Sequence, residues 1–261
     1  MKERIITGVI AGSAFIGLLI LGNYWFAGLI LAMAVIAHFE FMKMNGIALG
    51  STISIFSLIA LVAIVGPWEH LFGWHLSIEG LIWFLLFGLF AMTVITKNKS
   101  TLDHAALAFI GTFYIGYGFN AMVETRLDHG LFWTVFIFIG IWISDSGAYF
   151  TGRAFGKNKL WPSISPNKTI EGAVGGTLLT IIAAVIFTLF APEHVSMIRA
   201  AFIGLLIAVA GQFGDLIESA YKRVRDIKDS GHLLPGHGGV LDRTDSWLIV
   251  FPLLVLLDLL P

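Results

Sequence analysis

Two polar segments interrupt an otherwise apolar chain and carry about half of its charges. They run from Asp145 to Gly172 and from Asp215 to Asp245, and together hold eight of 17 acidic and nine of 16 basic residues. Carboxylates can hold a metal ion, while lysines and arginines neutralise phosphates, so the combination is typical of phosphoryl or nucleotidyl transfer.

The second segment begins on a predicted helix. Four of its polar residues recur at i, i+3, i+4 and i+7, which places them on one helix face: Asp215, Glu218, Ser219 and Lys222. Asp242 and Asp245 are three apart at the start of the last apolar span. Acidic residues at two neighbouring helix ends can hold Mg²⁺, which binds a few carboxylates together with substrate phosphate oxygens.

Between these acidic groups lies the run Pro-Gly-His-Gly-Gly at 235–239. Glycines let backbone N–H groups approach an anion closely. The surrounding cations are Lys222, Arg223, Arg225, Lys228 and Arg243. A solvated basic loop that binds anionic lipid head groups would explain these cations, but it would not explain the carboxylates beside them.

The first segment has a similar composition. Asp145 and Tyr149 are one helical turn apart, and a loop with Gly152, Arg153, Gly156, Lys157 and Lys159 follows. Ser165 or Thr169 can cap the next helix, whose N-terminal N–H groups favour a phosphate. The spacing is not that of a P-loop, and no dinucleotide-binding fingerprint is present.

Composition indicates an integral membrane protein. Hydrophobic residues make up 57% and charged residues 13% of 261 positions, with a mean hydropathy of +0.87. A soluble domain usually has about twice that charged share. The absence of cysteine excludes disulfides and thiolate metal sites, and no basic tail indicates nucleic-acid binding.

The predicted fold is all-α, one membrane domain of about nine transmembrane helices over residues 1–261. Residues 1–140 supply five helices and most of the sixth, and 141–261 form the catalytic part with cytosolic loops 151–169 and 220–243. The N-terminal run resembles a signal peptide, but a retained first helix is the preferred interpretation. Low-charge windows give spans at 5–22, 24–42, 52–67, 80–96, 104–122, 131–150, 170–191, 199–219 and 244–260.

Basic residues predict the orientation. With nine spans and a cytosolic N-terminus, fourteen of the 16 lysines and arginines fall on the cytosolic side. Only Arg126 and Arg199 fall outside. Because short cytoplasmic loops carry the excess of positive charge, both polar segments, and with them the active site, are predicted to face the cytosol.

The second segment resembles the CDP-diacylglycerol synthase (phosphatidate cytidylyltransferase) family. The family signature S-x-x-K-R-x4-K-D-x-G-x-x-L-P-G-H-G-G-x-x-D-R-x-D fits Ser219 to Asp245 without a gap. Residues 145–157 are similar to its D-x-x-A-Y-x-x-G-R-x-x-G-K pattern, and 165–172 to S-P-K-K-T-x-E-G, with Asn167 in place of a lysine.

The resemblance implies transfer of CMP from CTP to phosphatidic acid, with Mg²⁺ and a second metal, K⁺, in a bacterial plasma-membrane homodimer. Metal ligands would be Asp215, Asp242 and Asp245. Lys222, Arg223 and Lys228 would neutralise phosphates. His237 would position the nucleotide or assist the leaving group, or it would serve only the geometry of its loop. The nucleotide pocket would include Asp145, Tyr149, Arg153, Lys157, Ser165, Lys168, Thr169, Ser219, Asp229 and Arg243.

Other functions are less consistent with the sequence. Transfer to an isoprenoid lipid phosphate remains open, whereas the motif of CDP-alcohol phosphotransferases is absent. A transporter would also carry intramembrane carboxylates such as Glu40, but the charges cluster at one face. Glu40 and His38 either pair with a cavity cation or reach the cytosolic interface, and the second interpretation is preferred.

Overall fold

The computed structural model describes residues 2–190, 193–231 and 238–261. Over these residues the chain forms eleven helices and one hairpin. In order they are α1 Lys2–Leu21, α2 Asn23–Met44, α3 Thr52–Val65, α4 Trp68–Phe72, α5 Ile78–Ile95, α6 Leu102–Asp128, α7 Gly130–Phe155, β1 Lys159–Trp161, β2 Ser165–Thr169, α8 Ile170–Thr188, α9 Met197–Val224, α10 Leu241–Thr244 and α11 Trp247–Leu256.

Within the described ranges, six helices are long and apolar enough to cross a membrane: α2 and α5 to α9. The remaining predicted spans coincide with shorter apolar helices: Gly8–Leu21 within α1, α3 and α11. In α5 only Leu85 and Leu89 are buried, while Trp83 and Phe87 are exposed. Such outward apolar surface suits a lipid environment. A mostly helical membrane protein is therefore confirmed, whereas the count of nine spans stays a prediction.

The segment between α7 and α8 differs from the predicted loop 151–169. Helix α7 continues to Phe155, and β1 and β2 then pair as an antiparallel hairpin. Glycine at 156, which ends the helix, is a poor helix former, and Pro162 and Ser163 occupy the turn between the strands. The hairpin is a small departure from an all-α fold.

The chain divides into two compact units, Met1–Asp128 with Asp229–Arg243, and His129–Lys228 with Thr244–Pro261. In the first unit α6 packs against α2 and α3. Gly111 of α6 lies under the Phe41 ring of α2, where a Cβ would collide with that ring. Phe26, Ile30 and Ile115 are fully buried in this unit.

In the second unit, α7 and α8 pack closely through small residues. A Cβ added at Gly176 would lie 2.7 Å from the carbonyl oxygen of Ser144, and one at Gly172 would lie 2.7 Å from that of Ala148. Small residues let helix backbones approach closely where lipid provides no hydrophobic driving force between helices. Gly172 and Gly176 therefore serve close helix packing. We call this contact the α7–α8 seam.

Candidate active site

Three carboxylates of the second unit interact electrostatically. Asp145 lies on α7, Asp215 on α9, and Asp245 between α10 and α11; the charge of Asp215 acts on both of the others. All three groups are acidic, so these interactions are repulsive when the carboxylates are ionised. Like charges that repel each other are unfavourable without a cation. The three carboxylates are therefore suited to binding a cation.

A glycine on α9 permits this arrangement. A Cβ at Gly214 would lie 2.5 Å from the carbonyl oxygen of Asp245 and 2.8 Å from Cα of Ser246. The Ser246 hydroxyl donates to the carbonyl of Gly211 at 3.0 Å. Backbone therefore packs directly on backbone, and Asp245 comes close to Asp215.

The hairpin contributes a cation to the same place. Lys168 Nζ lies 2.7 Å from Oδ2 of Asp215, and both side chains are partly buried. The Arg223 Nε donates to the carbonyl of Ile164 at 3.1 Å, which ties the hairpin to the end of α9. The two polar segments thus meet within this unit.

The predicted polar face of α9 is confirmed. Ser219 Oγ donates to Oδ1 of Asp215 at 3.2 Å, and Lys222 Nζ lies 3.4 Å from Oε1 of Glu218. Both contacts have the i, i+4 spacing expected of a helix. Glu218 is buried at 6% exposure, and a carboxylate removed from water requires such a partner.

Two side chains, Thr169 and Glu171, make hydrogen bonds at the start of α8. Thr169 Oγ1 accepts the Gly172 N–H at 3.1 Å, so Thr169 and not Ser165 caps the helix. Glu171 accepts the N–H of Lys157 at 3.1 Å and the side-chain amide of Asn158 at 2.7 Å. Glu171 was not among the predicted site residues, although an acidic residue in a first helical turn is a recognised signal.

The remaining predicted residues are less constrained. Arg153 donates to the Tyr149 hydroxyl at 3.4 Å, and both are exposed. Exposed side chains are also found at Lys157, Lys228, Asp229 and Arg243. His237 lies outside the described residues.

Asp242 belongs to the first unit, where its carboxylate accepts backbone N–H groups. Its Oδ2 accepts the N–H groups of Ser230 at 2.9 Å and of Gly239 at 2.8 Å. The Ser230 hydroxyl lies 3.0 Å from the same oxygen. Glu40 of α2 contacts the same segment, and neither interpretation of Glu40 from sequence anticipated this.

The donor set fits Mg²⁺ bound partly by substrate. Among the described residues, no group of three His, Cys, Asp or Glu side chains is arranged to hold a metal by itself. Mg²⁺ usually takes one or two carboxylates and completes its shell with water and substrate phosphates. Asp215 and Asp245 supply the one or two carboxylates that such a site needs, and Asp145 interacts with both of them.

Comparison with known proteins identifies the family. A model of the cytidylyltransferase family matches residues 2–260. The chain belongs to the cytidylyltransferase family. The whole length is covered, so membership includes the N-terminal helices, where no sequence motif was recognised.

Relatives of this cytidylyltransferase are found in bacteria. A phosphatidate cytidylyltransferase of Bacillus subtilis (strain 168) is 42% identical over 98% of the chain and 97% of the relative. One from Staphylococcus haemolyticus (strain JCSC1435) is 39% identical over 98% of both chains. The family and the enzyme class predicted from the signature are thereby confirmed.

Proposed function

We propose that this cytidylyltransferase transfers CMP from CTP to phosphatidic acid, giving CDP-diacylglycerol and pyrophosphate in phospholipid synthesis. The observation that carries the proposal is the group of Asp145, Asp215 and Asp245, with Lys168 paired to Asp215. It combines carboxylates, which can bind a metal ion, with a cation. The names of the relatives support CTP and phosphatidate as the substrates.

The chemistry is an in-line displacement. An oxygen of the phosphatidate phosphate attacks the α-phosphorus of CTP, and the bond from that phosphorus to the pyrophosphate oxygen breaks. A phosphate dianion is already a nucleophile, so no strong general base is required. The protein must align two polyanions and neutralise their repulsion.

Roles follow from position. Asp215 and Asp245 would hold Mg²⁺, which supplies positive charge for the phosphates. Lys168 and Arg223 place their cationic side chains at the hairpin contact with α9, where they could neutralise phosphate charge. The metal role of Asp242, the role of His237, a K⁺ site and a homodimer stay predictions from the resemblance.

The first test is product release. Purified enzyme should release pyrophosphate only when CTP, phosphatidate and Mg²⁺ are all present, because each supplies a part of the displacement. A coupled pyrophosphate assay measures this, with ATP in place of CTP as a control. Equal rates without phosphatidate would contradict the proposal, and an isoprenoid lipid phosphate used in preference would change the acceptor.

We also propose nine spans with the N-terminus and the site in the cytosol of a bacterial plasma membrane. The absence of cysteine makes a direct test possible. His75→Cys and Lys99→Cys place single thiols at exposed positions between helices. A membrane-impermeant maleimide should label position 75 in intact cells and position 99 only after lysis. The reverse pattern would invert the topology.

A further inference from the structure

Glu40 is a buried carboxylate whose position on α2 is unfavourable for the helix itself. It is 8% exposed and lies four residues before the end of α2 at Met44. Negative charge near a helix C-terminus opposes the helix dipole, and burying a carboxylate is costly without hydrogen-bond donors. The stability of α2 therefore does not account for it.

The donors that compensate Glu40 come from residues about 200 positions later in the chain. Oε1 accepts the N–H of Val240 at 3.0 Å, and Oε2 accepts the N–H of Leu241 at 3.0 Å. The Ser230 hydroxyl lies 3.3 Å from Oε2. All of these residues belong to the first unit.

Glycines allow the backbone to approach this carboxylate. A Cβ at Gly231 or at Gly239 would collide with the Glu40 side chain. Oδ2 of Asp242 accepts the N–H groups of Ser230 and Gly239. Glu40 and Asp242 together therefore bind four backbone N–H groups, at residues 230 and 239–241, inside the family signature.

We propose that Glu40 is a positioning residue of the transfer reaction. Its carboxylate fixes the backbone of 239–241, and with it the position of Asp242. The inference rests on the proposed function. It accounts for two of the signature glycines, Gly231 and Gly239, as sites of close approach to a side chain far away in the sequence.

Glu40→Gln is the test, because it keeps the shape but replaces one accepting oxygen with an NH₂ group that opposes a backbone donor. The KM for CTP should rise roughly tenfold, as expected for the loss of one charge-assisted hydrogen bond. Hydrogen exchange of the Val240 and Leu241 amides should accelerate by about the same factor. A merely structural role would lower the active fraction, and hence kcat, at unchanged KM.

The matched control is His38→Gln. His38 is buried on the same helix, but its Nε2 faces Ser57 Oγ at 3.3 Å and not the signature. It should destabilise the protein while leaving the KM for CTP within about twofold of wild type. If Glu40→Gln does not fold, Ser230→Ala removes the hydroxyl shared by both carboxylates and should raise KM about threefold.

Each possible result of these measurements either supports or contradicts the positioning role of Glu40. Wild-type KM in Glu40→Gln, or in Ser230→Ala if only that variant folds, overturns the inference, as do wild-type exchange rates at 240 and 241. Inactivity of the wild-type enzyme toward CTP and phosphatidate would instead overturn the proposed function, while the exchange measurement would still report on the anchoring. The two failures are therefore distinguishable.

Discussion

Replacing Asp215 by asparagine is expected to lower turnover at least about a hundredfold, the scale of losing one preorganised electrostatic contact in an active site. Asparagine keeps the size of the side chain and an acceptor for Ser219, but it removes the negative charge offered to Mg²⁺. Pyrophosphate release should be measured across a Mg²⁺ titration at saturating CTP and phosphatidate. The residual activity should require more Mg²⁺.

Two comparisons isolate the metal role of Asp215. Asp226→Asn makes the same change at an exposed turn with φ 55, a left-handed conformation that asparagine tolerates, and should behave as wild type. If Asp215 served only as counter-ion to Lys168, the double variant Asp215→Asn with Lys168→Met would regain activity. Recovery in the double variant, or near-normal turnover of Asp215→Asn, would contradict metal binding.

Gly214→Ala should produce a second large loss, at least about tenfold in turnover. The new methyl group would lie 2.5 Å from the Asp245 carbonyl oxygen, and backbone cannot yield as a flexible side chain does. Asp245 must then move away from Asp215, and a displacement of about 1 Å at an active site can cost about a hundredfold. Initial rates and the melting temperature in detergent measure the effect.

Gly211→Ala is the matched control on the same helix. Its Cβ would lie 3.7 Å from the Ser246 side chain, an ordinary van der Waals contact. Both substitutions increase helix propensity by the same amount, about 1 kcal/mol, so propensity cancels in the comparison. Equal activities in the two variants would show that the close approach at Gly214 does not position Asp245.

Local patterns predicted much of the site. The spacing of Asp215, Ser219 and Lys222 was sufficient to define a helix face, because contacts at i, i+4 depend only on helix geometry. Hydropathy located a helix at each predicted span, because a long apolar run of low charge is typical of a membrane helix. The hairpin was missed because its strands have three and five residues, too few for a period to be recognised.

Non-local partners could not be predicted. The cost of a buried carboxylate shows that Glu40 needs donors, but no local pattern identifies Val240 and Leu241 as those donors. The pairing of Lys168 with Asp215 could not be predicted either. The sequence predicted that their two segments share a site, but the fold of the hairpin determines which side chains meet. The structural role of Asp242 at Ser230 was likewise not foreseen.

The α7–α8 seam has a consequence for how the protein is made. Its two helices are separated by only 14 residues, which the hairpin occupies in part, so they can associate soon after synthesis with little loop-closure entropy. Helices already inserted in a bilayer associate by side-to-side packing. We expect this pair to assemble before α9 emerges from the ribosome, so that α9 docks onto a preformed surface.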